Sequence, residues 1–556
     1  MTWHVDVAYE TYETAREQFE WGLPDDYNLA HDLLRKHDDT DALALRRHYP
    51  DDQPDDYSFA DLDRLSDRVA NALADRGITE GDRIGVVLSQ TVANPVTHLA
   101  CWKLGAVSLP LSVLFGTDGL QSRLHDSEAV AVVTTTEIRD AATEAVRACP
   151  NLEYHFEAGD GAGESDATEP FEALLEAPPT FDRVETTADT PAIIMYTSGS
   201  TGPPKGVLQG HGVWVGHCAA FQMYFELDVA GTFWTPADWA WIGALGDLLF
   251  PAWHYGQPVV GYPMGGFDTE QAYDIMEQYD VTNTFLPPTA IRMMMNETPS
   301  EWDLSVEAIC SGGEPLTPEI LEWVDEELGG VPVNELYGQT EANLLATNCQ
   351  QWFDAQPASM GKPVPGHEVA PIDPETGERK PDDEVGQLAV KRDGPDGSGD
   401  PVVFQQYWNL PDKTASASVD AMGEGTWHLT GDLASRDSDG YLWFKSRDDD
   451  VIITAGYRVG PGEVESAILE HPAVEQVGVI GVDDDLRNEV IKAFVQPVAP
   501  RRNPVTDSET LREEIQDLVR TTLAKHEYPR EIEFVDDLPQ TTTSKIQRRK
   551  LRSREA

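Results

Sequence analysis

The sequence predicts an α/β fold: a large N-terminal domain of layered α/β subdomains with a small β-barrel-like subdomain, then a small α+β C-terminal domain. Three observations carry this. Short apolar strands alternate with amphipathic helices over the first 313 residues, the rhythm of parallel sheets covered by helices. After residue 370 turn signals and short strands take over. A charged run, Ser446-Arg-Asp-Asp-Asp-Val-Ile452, then sets off a last block of about 100 residues. The boundaries read from these shifts are 1–446 for the first domain, with its β-rich part at about 365–446, 447–450 for a hinge and 451–556 for the C-terminal domain.

Taken in order, Leu62, Leu65, Val69 and Leu73 recur at helical spacing, and Gly77 ends that helix. Residues 84–90 read as a buried strand, and 92–111 as a helix running into the next one. Further strands fall at 130–136, 192–198, 258–263, 282–288 and 307–313. Residues 151–190 are acidic and Gly-rich and read as a surface loop without chemistry. In the last block a helix at 462–474, strands at 475–482 and 489–497, a helix at 508–524 and a strand at 531–539 follow in turn. The chain has no internal repeat.

Over 556 residues, 98 Asp and Glu face 40 Lys and Arg, a formal net charge of −58. Such a field repels polyphosphate and anionic lipid, which excludes general nucleic-acid binding and disfavours a membrane surface. The acids are spread along the chain and only 12 of the basic residues are lysine. That composition resembles cytosolic proteins of halophiles, whose carboxylate surface stays hydrated in salt that screens its self-repulsion. Cys101, Cys149, Cys218, Cys310 and Cys349 lie far apart, arguing for buried free thiols rather than a disulfide framework or thiolate metal site. The N-terminus lacks the basic and apolar regions of a signal peptide, and no run of about 18 apolar residues could span a membrane. The expectation is a cytoplasmic, multi-domain protein.

Chemistry concentrates first in Tyr196-Thr-Ser-Gly-Ser-Thr-Gly-Pro-Pro-Lys-Gly206, directly after an apolar strand. Hydroxyls and the amides of a Gly-rich loop suit phosphate oxygens. It is not a Walker A loop, because Gly202 stands three residues before Lys205 and Gly206 follows the lysine. The segment resembles the phosphate loop of the AMP-forming adenylating superfamily, which holds acyl-CoA synthetases, luciferases and peptide-synthetase adenylation domains. Cys310-Ser-Gly-Gly-Glu-Pro-Leu316, Glu335-Leu-Tyr-Gly-Gln-Thr-Glu341, Thr430-Gly-Asp432, Arg447-Asp-Asp-Asp450 and Gly456-Tyr-Arg458 follow in family order. Pro539-Gln-Thr-Thr-Thr-Ser-Lys545 completes the set, with Gln540 where the family has Lys and Ser544 where it has Gly. The resemblance covers residues from about 25 to 550 and is strongest, at Phe19–Leu34, to medium-chain acyl-CoA synthetases.

The resemblance implies a site residue by residue. Thr197, Ser198, Gly199, Ser200, Thr201, Gly202 and Lys205 would cradle phosphates. Gly313, Glu314 and Pro315 belong to the adenine-side strand end, and Glu335 and Gln339 to the second nucleotide motif. There Tyr337 would stack on adenine, Thr340 would donate to the α-phosphate, and Glu341 would hold Mg²⁺. Asp432 would accept from both ribose hydroxyls and Arg447 would clamp the same sugar. A carboxylate attacking the α-phosphate of ATP meets a polyanion, so Arg458, Lys545 and Mg²⁺ would neutralise the charge. The implied catalytic set is Lys545, Glu341, Thr340 and Arg458. The acyl adenylate would then pass its acyl group to the thiol of coenzyme A. In the family the small C-terminal domain is mobile and rotates between the two half-reactions, which puts the pivot at Asp449 and Gly456 beside a pantetheine tunnel.

Chain length turns on a few positions. Acetate-specific relatives carry a Trp where this chain has Gly338, and Gly243 and Gly312 fall on other pocket-lining positions. Three missing side chains would leave room for methylenes, each contributing about 0.8 kcal/mol when buried, with Trp241 bounding the pocket. Glycines needed only by backbone turns would instead leave it small. A medium-chain, branched or aromatic acid is the expectation; acetate or propionate, or an amino acid held by Asp238, are the alternatives. The implied partners are that acid, ATP and coenzyme A.

Overall fold

Ile84, Val86, Ala131, Val132 and Val133 are at most 1% exposed, as strands covered on both faces require. They form the middle of an eight-stranded sheet. Its order is Gln406–Tyr407, Lys205–Gly210, Pro191–Thr197, Val107–Pro110, Arg83–Val87, Ala131–Thr135, Tyr154–Ala158 and Glu169–Pro170. All neighbours are parallel except at the first two junctions. The computed structural model describes the chain apart from residues 1–2, 50–52, 198–203, 314–315, 317, 394–398, 422–424, 448–449, 455–456, 485–487, 499–507, 524–526, 541–545 and 556.

A nine-stranded sheet runs in the order Lys362–Pro363, Ala342–Thr347, Val333–Gln339, Ala308–Gly312, Asn283–Phe285, Phe233–Trp234, Val259–Gly261, Leu43–Arg47 and Asp55–Ser58. It too is parallel at its centre and antiparallel at its rims. The helices Ala93–Leu104 and Val213–Tyr224 are buried all round, which matches their lack of a polar face. The helix Phe59–Asp75 keeps one apolar stripe. It starts at a capping box between Ser58 and Asp61 and stops before Gly77, whose φ of +84° a side chain would resist. Thr197, Gly312 and Gln339 all stand at carboxyl ends of strands, where α/β sheets gather ligands.

Residues 151–190 are more ordered than their composition suggests. Tyr154–Ala158 adds a parallel strand and Phe171–Glu176 a 3₁₀ turn. Two polar residues hid that strand by sitting in buried positions with partners. His155 Nε2 pairs with Thr134 Oγ1 at 2.9 Å, and Glu157 takes Arg139 at 2.9 Å and Thr168 at 2.9 Å.

Residues 1–199, 203–369 and 390–428 cluster as one compact unit, and 370–389 with 429–556 as another. The second takes in residues 429–446 because Leu442–Arg447 pairs antiparallel with Asp432–Arg436. Its other sheet joins Tyr457–Val459, Ile452–Thr454, Asn488–Pro497 and Val474–Asp484, with Glu531–Phe534 parallel on Asn488–Pro497. The helix Arg548–Glu555, rich in Arg and Lys, follows the last strand. All five cysteines are buried free thiols, and burial raises each thiol pKa, that of Cys349 to about 12. Among the described residues no helix is long and apolar enough to cross a membrane.

Candidate active site

The phosphate-loop segment is flanked by two strands that pair with each other. Ala192, Ile193 and Ile194 bury the strand Pro191–Thr197, which pairs antiparallel with Lys205–Gly210 so that Thr197 faces Lys205 across the stem. Ser198, Gly199, Ser200, Thr201 and Gly202 lie outside the described residues. The stem itself is firmly held: Tyr196 Oη donates to Asp126 Oδ2 at 2.8 Å. Thr197 Oγ1 is buried with no hydrogen-bond partner among the described residues, and such an atom costs free energy unless something accepts or donates to it.

The second nucleotide motif is also a hairpin, Val333–Gln339 against Ala342–Thr347, with a register shift between Tyr337 and Gln339. Its tip carries Thr340 and Glu341 to the phosphate-loop stem. Gln209, on the strand after Lys205, donates to the Thr340 carbonyl, and Phe404 N–H donates to the Glu341 carbonyl at 2.8 Å. The Glu341 side chain is buried, and its Oε1 accepts from Tyr407 Oη at 2.8 Å. Lys205 Nζ stands 4.3 Å from the centroid of the same Tyr407 ring. A buried, oriented carboxylate is a hard oxygen ligand of the kind Mg²⁺ takes. Among the described residues no three His, Cys, Asp or Glu side chains gather as a metal site.

Tyr407 was not singled out by sequence. It lies in Gln405-Gln406-Tyr407-Trp408-Asn409, which has no periodicity and no motif spacing, and only the pairing of Gln406–Tyr407 with Lys205–Gly210 brings it in.

Ala308–Gly312 runs parallel to Val333–Gln339 and ends in Gly313, whose φ of +90° turns the chain. Glu314 and Pro315 lie outside the described residues. Glu335 sits two residues before Tyr337, on the same strand face. It borders a shallow, open cleft with Leu316, Asn348 and Ala355–Ala358, and its Oε2 accepts from Leu316 N–H at 3.4 Å. Burial pushes the Glu335 carboxyl up to about 8, against the smaller opposing effect of that hydrogen bond.

The three glycines expected to leave acyl space each face protein atoms. A Cβ on Gly338 would lie 2.3 Å from Leu344 N, and one on Gly312 would lie 2.5 Å from Leu336 Cδ1. At Gly243 the neighbour is the edge of the Phe285 ring at 3.1 Å, with Asp247 Oδ2 at 3.7 Å. At Gly338 and Gly312 close backbone and Leu336 packing occupy the direction a side chain would take. Trp241 is half-buried, with its ring 6.0 Å from Phe115. Asp238 accepts from Ser112 Oγ at 2.6 Å, and burial raises its pKa against the opposing effect of that hydrogen bond.

In the second unit Asp432 and Arg447 are register partners with Arg447 Nη1 3.1 Å from Asp432 Oδ1. Thr430 Oγ1 donates to the Leu388 carbonyl at 2.7 Å and accepts from Asp432 N–H at 3.1 Å, fixing the turn at Gly431. Asp450 is tied to Arg548 at 3.0 Å and to Arg552 at 2.8 Å, and Arg548 also holds Glu465 at 2.5 Å. The Arg458 backbone pairs with Ile453. Its side chain, like Asp449, Gly456 and Lys545, lies outside the described residues, although Gln540 and Ile546 pair across the ends of the lysine segment.

Comparison with known proteins follows the same outline. Residues 33–408 match the AMP-binding enzyme family, and 463–545 its C-terminal domain. The chain is 34% identical to the rat mitochondrial acyl-coenzyme A synthetase ACSM4, over 90% of this chain and 84% of that one. It is also 34% identical to the acetyl-coenzyme A synthetase of Bacillus subtilis, over 99% and 96%. The structure of the anthranilate CoA ligase AuaEII with anthranoyl-AMP superimposes with a TM-score of 0.83 at 26% identity, covering 96% of this chain and 98% of that one. These matches, together with the hairpin stems that converge on Glu341, identify the chain as a member of the AMP-binding enzyme family.

Proposed function

We infer that the protein is an AMP-forming acyl-CoA synthetase. The observation that carries this is the convergence of Thr197, Lys205, Thr340 and Glu341 in a chain that matches acyl-CoA synthetases along nearly its whole length. A carboxylate oxygen attacks the α-phosphorus of MgATP, the bond to the β-phosphate breaks and pyrophosphate leaves. The thiol of coenzyme A, losing its proton, then attacks the acyl carbon and AMP departs.

Within that reaction we assign Lys545 and Arg458 to charge neutralisation, Thr340 to the α-phosphate and Glu341 to the metal of MgATP. Tyr337, Glu335, Gln339 and Gly313–Pro315 are assigned to the adenine side, Thr197–Gly202 and Lys205 to the phosphates, and Asp432 with Arg447 to the ribose. Asp449 is the proposed pivot within a hinge at 447–450, and Gly456 the residue beside the pantetheine path. The cytoplasm is the proposed compartment, supported by five free thiols, which suit reducing surroundings.

For the acid we propose a medium-chain, branched or aromatic carboxylate, bounded by Trp241, Gly243, Gly312 and Gly338. The likeness to an anthranilate ligase supports an aromatic acid. The filled directions at Gly312 and Gly338, and the acetyl-coenzyme A synthetase among the relatives, favour acetate or propionate as the second reading. A panel of acids from C2 to C10, with branched, aromatic and amino acids, assayed by AMP release with ATP, Mg²⁺ and coenzyme A, decides between them. AMP release with no carboxylic acid on the panel would sink the ligase reading. Lys545→Ala should abolish adenylate formation yet still convert supplied acyl adenylate and coenzyme A to thioester; equal loss of both steps would remove the lysine from the catalytic set.

A further inference from the structure

Tyr407 is the point where two parts of the nucleotide site meet in one side chain. Its hydroxyl donates to Glu341 Oε1 at 2.8 Å, and Lys205 Nζ lies 4.3 Å from its ring centroid. Tyr407 and Glu341 are both 8% exposed, so the hydrogen bond to the carboxylate is shielded from water and correspondingly strong.

The residue is itself fixed from several sides. Tyr407 N–H donates to Thr414 Oγ1 at 2.9 Å. Trp408 N–H donates to the Gly206 carbonyl at 2.7 Å, and Gln405 N–H to the Leu208 carbonyl at 2.9 Å. The Phe404 ring packs 4.7 Å from the Tyr407 ring. Phe404 N–H in turn holds the Glu341 backbone. The segment 404–408 thus splints the strand that leaves the phosphate loop against the hairpin tip that bears Glu341.

We propose that Tyr407 is a positioning residue for adenylation: its hydroxyl sets the rotation of the Glu341 carboxylate toward the metal of MgATP, and its ring face holds Lys205 at the mouth of the phosphate loop. A donor on Oε1 leaves the other carboxylate oxygen to face the metal, and a cation over a phenol face is attracted by the ring quadrupole. The proposal rests on the nucleotide part of the reading above and extends it to a residue with no assigned role.

Two variants separate the contacts. Tyr407→Phe keeps the ring, its packing and the lysine contact, and removes only the hydroxyl. Tyr407→Leu removes both. For Tyr407→Phe the Mg²⁺ concentration giving half-maximal pyrophosphate release should rise about tenfold, the loss of one hydrogen bond to a charged group. KM for the acid and the thioester step from supplied acyl adenylate should stay as in the parent. Tyr407→Leu should add a severalfold rise in KM for ATP.

Calorimetric titration with ATP, in Mg²⁺ or in EDTA and without any acid, gives a readout independent of turnover. The parent should gain affinity from Mg²⁺, and Tyr407→Phe should lose most of that gain. A Tyr407→Phe protein with the parent's Mg²⁺ dependence in both assays overturns the proposal, and so does equal loss of both half-reactions with a lowered melting temperature. A parent that binds MgATP but activates no acid would sink the ligase reading while this titration still decides the role of Tyr407.

Discussion

Glu335 is a carboxyl group in a place that resists its charge. Burial raises it from an ordinary 4.5 to about 8, so between those values the folded protein keeps a proton that the unfolded chain releases. Stability contributed by this group must then fall as pH rises through that window and level off above it. Glu335→Gln removes the titration with little change of shape, so its melting temperature should gain on the parent from pH 5 to pH 8.5; a constant difference would refute the raised pKa. Gly338 gives a second residue-scale test. Because a Cβ there meets backbone at 2.3 Å, Gly338→Ala should already cost about 1–3 kcal/mol by overpacking. Chain length is better probed at Gly243→Ala, which presses only on the Phe285 ring. If Gly243 lines the pocket, kcat/KM for the longest accepted acids should fall about tenfold relative to acetate. Thr197, Lys205, Thr340 and Glu341, which the two hairpins bring together, stood out in the sequence because fixed chemistry fixes residue type and order. Acyl space at the glycines was not legible, because absence of a side chain is read identically whether the space beyond is empty or filled by Leu344 and Leu336.

At the level of elements, the two hairpins do the assembly. Only the strand at 192–198 was visible beside its motif; Lys205–Gly210, Val333–Gln339 and Ala342–Thr347 were not read as strands, because motif residues break their apolar pattern. Tyr154–Ala158 was missed for a related reason: a buried His and Glu mimic a loop until Thr134, Arg139 and Thr168 satisfy them. The final helix, Arg548–Glu555, is held through Arg548 by Asp450 and Glu465, partners far off in sequence. Arg548→Met should leave Glu465 without its cation while Arg552 still holds Asp450, and cost about 3–5 kcal/mol, seen as faster hydrogen exchange in Pro461–Leu469 and Arg548–Glu555. Adding Glu465→Leu should restore much of the loss, since an apolar contact then replaces the buried pair. An unchanged exchange rate in Arg548→Met would mean that the cluster carries no stability. The same cluster ties Asp450 to the final helix while Arg447 is tied to Asp432, leaving 448–449 between two anchored flanks, in keeping with the proposed pivot.

For the whole molecule, a charge of −58 sets the dominant long-range term. Carboxylate repulsion is screened as the Debye length falls to about 3 Å near 1 M salt. Melting temperature and activity should therefore rise into molar KCl, and full activity with an unchanged melting temperature in dilute buffer would refute the halophilic reading. The fold class and family were legible at this scale, because strand-helix rhythm and ordered motifs survive any choice of surface residues. The identity of the acid was not, because it depends on volumes that only packing defines. The buried cysteines carry a further consequence. A thiol reagent needs both access and thiolate, and burial denies both at all five positions. Labelling of the native protein should thus wait on opening of the structure, so the rate at which each cysteine is modified becomes a clock for the region around it. Cys101 and Cys149 would time the eight-stranded sheet, and Cys310 and Cys349 the hairpin that carries Glu341, with mass spectrometry reading which region opens first as salt is withdrawn.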